Sequence, residues 1–157
     1  MGEETEKKII EAIKSNFQDA IEEAEVLRPK RISITVRNNK MFEVARFLRD
    51  RLKFDYVLSV GAVDYIKENR FQVIYYLLSS KEKVVLMLRT NIPRDKPFTP
   101  SLISVWEAVN YHERETWEMF GITFKGHPNL TRLLLPEDWE GGYPLRKDFK
   151  LSSSEGG

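Results

Sequence analysis

Cysteine is absent from the 157 residues. That excludes a disulfide framework, a thiol nucleophile, a cysteine-ligated zinc site and an iron–sulfur cluster held by this chain alone. Long apolar runs are missing too. The longest, 73–78 and 84–88, fall far short of the roughly 20 residues that a membrane-spanning helix needs. The opening MGEETEKKII lacks a signal-peptide core. Neither GxGxxG nor GxxxxGK[ST] occurs, and no serine sits in a nucleophile elbow. The net charge of +1 and the lack of a basic run interleaved with aromatics argue against a nucleic-acid partner.

What is present is a chain that is 41% hydrophobic and 31% charged. It is apolar enough to build a core and too apolar to be disordered throughout. The balanced charge conceals an asymmetry. Residues 1–27 carry eight acids and three lysines, −5, which leaves +6 for the remainder. Such a run reads as the solvated face of a helix.

The periodicity predicts a helix over 5–26, with Ile9, Ile13, Phe17, Ala20, Ile21 and Ala24 at spacings of three and four, stopped by Pro29. RISITVR at 31–37 alternates as a strand, Asn38-Asn39 turns, and 41–52 is helical again. Residues 54–66 read as a strand with a bulge at Gly61. Residues 70–79 and 83–90 form a hairpin across Ser80-Lys81-Glu82. The fold class expected is α+β: a four-stranded, mostly antiparallel sheet with helices on one face and the second helix as a crossover between the first two strands. This sheet unit fills residues 1–100. Asn91 to Pro100 reads as a proline-rich linker, 101–120 as a helix, and 121–157 as an extended Gly/Pro-rich tail.

That tail is the unusual part. Residues 121–144 hold four of the eight glycines and three of the seven prolines, so no long helix or strand fits there. Yet this stretch and the residues just after it carry Phe124, Leu130, Leu133, Leu134, Leu135, Trp139, Tyr143, Leu145 and Phe149. At roughly 1.5–3 kcal/mol per buried side chain, these residues need a surface, and the irregular backbone favours a partner's.

The helix before the tail carries the candidate chemistry. Trp106, Val109, Trp117 and Phe120 share one face, with Glu113 in its middle. Glu113 is either a general acid with a raised pKa or half of an ion pair with Arg132 or Arg146. Arg114 and Glu118 stand four apart, an exposed pair worth about 0.3–0.5 kcal/mol. His112 and Glu115 invert the Glu-then-His order of a di-iron bundle and occur once, so no metal is expected. His127, in Gly-His-Pro, reads as a turn residue bonding a carbonyl or carboxylate. No complete catalytic constellation assembles. The residues alone indicate a non-catalytic module that presents a docking segment.

Residues 113–149, ERETWEMFGITFKGHPNLTRLLLPEDWEGGYPLRKDF, resemble the signature of the 30-kDa (C) subunit of respiratory complex I and its relatives in energy-converting, membrane-bound hydrogenases. The matching pieces are Glu113-Arg114-Glu115, Met119-Phe120-Gly121-Ile122, Phe124, Gly126-His127-Pro128, Leu130, Arg132 and Pro144-Leu145-Arg146-Lys147-Asp148. The resemblance implies a subunit without a cofactor of its own, on the cytoplasmic face of a membrane-associated electron-transfer complex. It implies docking onto a chain like the hydrogenase large subunit, near the subunit holding an iron–sulfur cluster. The iron–sulfur clusters, and the quinone or nickel–iron site, belong to those other chains. On this reading Glu113, Arg114 and Glu115 anchor helix and tail, while Gly121, Gly126 and Pro128 set the tail's path. Leu130, Leu133, Trp139 and Leu145 fill partner pockets, and Arg132, Arg146 and Asp148 make interfacial ion pairs. Two rivals stand beside it: a stand-alone binding module joined through the tail, and a small acid–base enzyme using Glu113.

Overall fold

The computed structural model describes residues 3–150. Helix α1 (Glu4–Asn16) is followed by strands β1 (Ile21–Arg28) and β2 (Arg31–Val36), helix α2 (Met41–Asp50), and strands β3 (Tyr56–Tyr65), β4 (Arg70–Ser79) and β5 (Val84–Pro93). A short strand β6 (Phe98–Pro100), helix α3 (Val109–Phe120) and strand β7 (Thr123–Lys125) complete the regular structure. The main sheet has five strands in the order β1-β2-β5-β4-β3. Only β2 and β5 run parallel; the other three pairs are antiparallel.

The class is therefore α+β as expected, with one strand more. Residues 17–26 do not continue the α-helix: Gln18–Ala20 make a single 3₁₀ turn and the chain is extended from Ile21. Helix α1 ends at Asn16, where the side chains of Ser15 and Asn16 bond Glu11 O and Ala12 O, both at 2.8 Å. Residues 21–28 then pair with β2. Ile21 and Ala24 are three apart, which suits a helix, but Ala24 and Val26 also sit two apart opposite Ile34 and Ile32. Tertiary pairing decided between the two periods. The second helix does not join neighbouring strands either: β2 and β3 are separated by β5 and β4, so α2 crosses most of the sheet. The irregularity in β3 falls between Val57 and Ser59, and Gly61 pairs regularly with Ile74.

One parity of each strand faces the helices. Ile32, Ile34, Val36, Val73, Tyr75, Leu77, Leu86 and Leu88 join Ile9 and Ile13 of α1 and Met41, Val44, Ala45 and Leu48 of α2 in one core. The opposite parity, including Ser33, Gln72 and Arg89, lies outside that core. There Arg89 donates to Ser33 Oγ and Gln72 Oε1, both at 2.9 Å. Helix α3 packs on β3, and its Val109 and Phe120 join the same core.

The stretch 91–100 is less of a linker than its prolines suggest. Strand β5 runs to Pro93, and β6 pairs in parallel with β7. Asn38 clamps β6, donating to Phe98 O at 2.9 Å and accepting from Thr99 Oγ1 at 2.6 Å. Helix α3 begins at Val109 rather than 101, and Trp106 lies in the turns before it. There the Trp106 indole N–H reaches Phe54 O at 2.9 Å.

Candidate functional site

Helix α3 places carboxylates on several sides at once, and two of them point into protein. Glu113 is 0% exposed. It accepts from Tyr75 Oη at 2.6 Å, from the Leu102 N–H at 2.8 Å and from the Ser101 hydroxyl. Burial pushes its pKa up, and the three donors only partly oppose this. Its expected arginine partner is absent. Arg132 donates to Pro136 O and Glu137 O, and Arg146 to Phe120 O. Hydroxyls and one amide take the arginine's place, so Glu113 ties α3 to β4 and to the 101–102 turn. A carboxyl with no exposed surface offers a substrate nothing to approach.

Glu118, one and a half turns further on, is 3% exposed and pairs with no arginine. It accepts instead from three consecutive backbone N–H groups: Leu133 (3.0 and 3.2 Å), Leu134 (2.9 and 3.0 Å) and Leu135 (2.7 Å). Burial raises its pKa, but these donors outweigh burial and hold the carboxyl below its ordinary value. Arg114, expected to pair with Glu118, donates to Thr131 O at 3.2 Å and Thr131 Oγ1 at 2.7 Å. Both side chains thus hold the same stretch of tail by its polar groups. That leaves the leucine side chains free of the anchor.

The far end of the tail is pinned in the same manner. Gly121 ends α3 with φ 76°, and a Cβ there would lie 2.6 Å from the Tyr143 ring. Only glycine meets both demands. The Leu145 N–H donates to Met119 O at 3.0 Å, and Arg146 Nε to Phe120 O at 2.7 Å. The Arg146 guanidinium lies over the rings of Tyr143 and Phe71, at 4.5 and 5.1 Å. At the end of β3, Asp64 takes a two-pronged bond from Arg94 (2.8 and 2.9 Å) and the Lys147 N–H at 2.8 Å, while Arg94 also reaches Asp148 at 3.2 Å. Burial would lift the Asp64 carboxyl, but Arg94 and the Lys147 N–H hold it low.

The tail's apolar side chains therefore remain outside. Beyond residue 124, Leu130 is the one hydrophobic side chain among the described residues that packs against the hydrophobic core. Leu134 is 64% exposed and Leu145 56%; Leu133 and Tyr143 are exposed as well. Leu134 and Leu145 border a groove of about 240 Å³ with Val60, Gly61, Thr116 and Met119, and exposed Glu115 stands beside it. This is a surface of contiguous apolar character set on a rigid, polar-bonded frame.

The other expected site residues divide. Phe124 is buried in the core. Gly126 turns with φ 90° ahead of Pro128. His127 accepts the Asn129 N–H at Nδ1 (3.0 Å) and lies 3.3 Å from Asn110 O at Nε2, so its ring serves the turn. Trp139 folds back on its own loop, its indole N–H bonding Gly142 O at 2.8 Å. Pro144 is half-buried between Tyr143 and Leu145. Sequence reasoning missed Asp64, Arg94, Tyr75 and Ser101, whose partners lie 11 or more residues away, and it left Leu134 out of the outward set. No group of three or more His, Asp or Glu suited to a metal occurs among the described residues. None of their helices is long and apolar enough to cross a membrane.

Residues 34–155 match the family model described as the respiratory-chain NADH dehydrogenase, 30 Kd subunit. The chain is 43% identical over 142 residues to the C subunit of the F(420)H(2) dehydrogenase of Methanosarcina mazei, covering 90% of each. It is 43% identical over 150 residues to the C subunit of the NADH-quinone oxidoreductase of Roseiflexus sp., covering 94% of this chain and 85% of the relative. A chain in the structure of the membrane-bound sulfane sulfur reductase, an archaeal respiratory membrane complex, superposes with TM-score 0.85 at 27% identity over 97% of this chain and 89% of that one. The trypsin-resistant fragment (1–134) of Nqo5 shares the fold, with TM-score 0.66 at 22% identity over 79% of this chain and 98% of that one.

Proposed function

The chain belongs to the respiratory-chain NADH dehydrogenase 30 Kd subunit family, and from that premise we propose that its tail holds together a complex I-like, membrane-associated electron-transfer assembly. Its relatives are the C subunits of such assemblies, and it is a peripheral subunit of the same kind. The partner is a chain like the hydrogenase large subunit, with the subunit that holds an iron–sulfur cluster beside it, on the cytoplasmic side of the membrane. Those chains hold the clusters and the quinone or nickel–iron site. Cysteine-free, and with the His127 ring serving its own turn, this chain supplies shape and contacts.

One observation carries the reading. From Gly126 to Lys150 the backbone is bonded to α3 and to the end of β3 by polar groups, while Leu133, Leu134, Tyr143 and Leu145 face outward. The polar anchors pre-order the segment, so less conformational entropy is lost when a partner covers it. Leu133 and Leu145, with Leu134, then enter partner pockets. Exposed Arg132 and Asp148 sit where rim ion pairs would steer encounter; Arg146, committed to Phe120 O and two rings, acts as an anchor instead.

Limited proteolysis tests the proposal. Alone, the chain should be cut first beyond residue 121, and the co-expressed large subunit should protect those sites. Equal cleavage with and without that subunit would contradict it.

A further inference from the structure

One end of the sheet departs from ordinary turn chemistry. Among the described residues four non-glycine residues have positive φ, and three are lysines: Lys30 (68°), Lys53 (61°) and Lys83 (59°). Each stands where backbone geometry calls for glycine or asparagine. Lys30 follows Pro29 in the two-residue turn between paired Arg28 and Arg31, the third position of a type II turn. Lys53 lies in the turn just after α2, and the Phe54 N–H beyond it reaches back to Leu48 O at 2.9 Å, so the left-handed residue turns the chain back onto the helix end. Lys83 closes the β4–β5 turn, donating its N–H to Ser79 O at 2.8 Å.

All three lie at the same end. Arg31 pairs with Val85, Val84 with Ser79, and Tyr56 with Leu78. That register brings the β1–β2 turn, the β4–β5 turn and the α2–β3 loop together. Lys30 Nζ donates to Glu82 O at 3.2 Å. Between α1, the end of α2 and the β4–β5 turn runs a groove of about 310 Å³, bordered by Lys8, Arg51, Lys53 and Lys81 over a floor that includes Ile9 and Leu52. Among the described residues Glu82 is the one carboxylate lining it. The four cations, with Lys30 and Lys83, are exposed, and among the described residues none of Arg51, Lys53, Lys81 and Lys83 forms an ion pair.

We infer that this end is a second docking surface, separate from the tail, and that it receives an acidic segment of a polypeptide. Lysine at three positions suited to glycine keeps positive charge at a conformational cost, and strain retained in this way marks a surface put to use. Lys30 stands beside the Glu6 carboxylate, which accepts its backbone N–H at 2.6 Å, and Lys53 Nζ donates to Asp50 O at 3.0 Å; Arg51, Lys81 and Lys83 are left to complement carboxylates, whose approach they steer. The concave shape and the apolar floor of Ile9 and Leu52 suit a chain segment carrying both acids and an apolar residue better than a flat anionic layer.

Glycine fits all three backbone conformations, so K30G/K53G/K83G removes charge and keeps the turns. The probe is a fluorescein-labelled oligoglutamate peptide, titrated with the full chain at low ionic strength and followed by anisotropy. The triple variant should bind roughly tenfold more weakly, and added salt should erase the difference. A control triple, K67Q/K96Q/K125Q, removes the same charge elsewhere and should stay within about twofold of the parent. Unchanged affinity in the glycine variant, or an equal loss in the control, would overturn the proposal. So would sedimentation of the chain with phosphatidylglycerol vesicles under conditions where it ignores the peptide, which would assign the surface to lipid.

Discussion

Replacing Glu118 by alanine removes the acceptor on which the middle of the tail hangs. Three N–H groups, of Leu133, Leu134 and Leu135, lose a charged partner that sits between 2.7 and 3.2 Å away. A hydrogen bond to a charged group contributes about 1.5–3 kcal/mol. Three such bonds would naively sum to several times that, but the freed amides swing into water, which caps the loss at the free energy of local opening. A local cost of about 2–4 kcal/mol follows, equivalent to a roughly 30- to 1,000-fold fall in hydrogen-exchange protection at 133–135. The sheet should hardly respond, because among the described residues beyond 124 only Leu130 and the Arg146 guanidinium, over the Phe71 ring, reach the core, and neither bonds Glu118. Exchange measured by mass spectrometry on peptides spanning 126–136, against peptides of β4 and β5, separates the two regions. Unchanged protection at 133–135 would refute the reasoning, as would an equal loss in β4 and β5. The pH dependence has a definite sign. The folded carboxyl has a lowered pKa, so its contribution is complete above the ordinary value of 4.5 and is lost as pH falls through the folded value.

Three further outcomes are expected. Glu113 has a raised pKa, so its ionisation opposes folding: stability should fall as pH rises from 4.5 through the folded value, and Glu113→Gln should flatten that slope in denaturant titrations at several pH values. Asp64→Asn removes the charge that holds half-buried Arg94 and weakens the acceptor of the Lys147 N–H; it should cost about 1.5–3 kcal/mol, and trypsin should cut earlier after Arg146 and Lys147. Gly121→Ala forces a Cβ into a left-handed position against the Tyr143 ring, a loss of at least about 1–2 kcal/mol visible as a lowered Tm, whereas Gly61→Ala, with nothing within 4 Å of the added Cβ, should leave Tm nearly unchanged.

Local pattern was enough for the central hairpin, for β2 and for α2, where alternation or helical spacing agrees with what the sheet demands. It was not enough at 17–28, because the Ile21–Ala24 spacing suits a helix and the Ala24–Val26 spacing a strand, and only the partner strand chooses. The parallel pairing of β2 with β5 likewise depends on which strands meet after α2 crosses the sheet. A helix running to residue 120, the glycine at its end and the apolar load of the tail were legible from the sequence, but the helix was expected from 101 and starts at Val109. The anchors were not. Tyr75 and Ser101 reach Glu113 from 38 and 12 residues away. Backbone amides, which every residue carries, satisfy Glu118. Charged side chains invite a reading in terms of ion pairs, yet here Glu113, Glu118, Arg132 and Arg146 all chose hydroxyls, amides or carbonyls.

The account stands on the tail being a pre-formed docking surface. Its most direct test is the affinity of the chain for the large subunit after Leu134→Ser and Leu145→Ser together. The two side chains are 64% and 56% exposed, so the isolated variant should keep its Tm to within a few degrees, while binding measured by interferometry should weaken roughly 100-fold or more. Full-strength binding by a properly folded variant would contradict it.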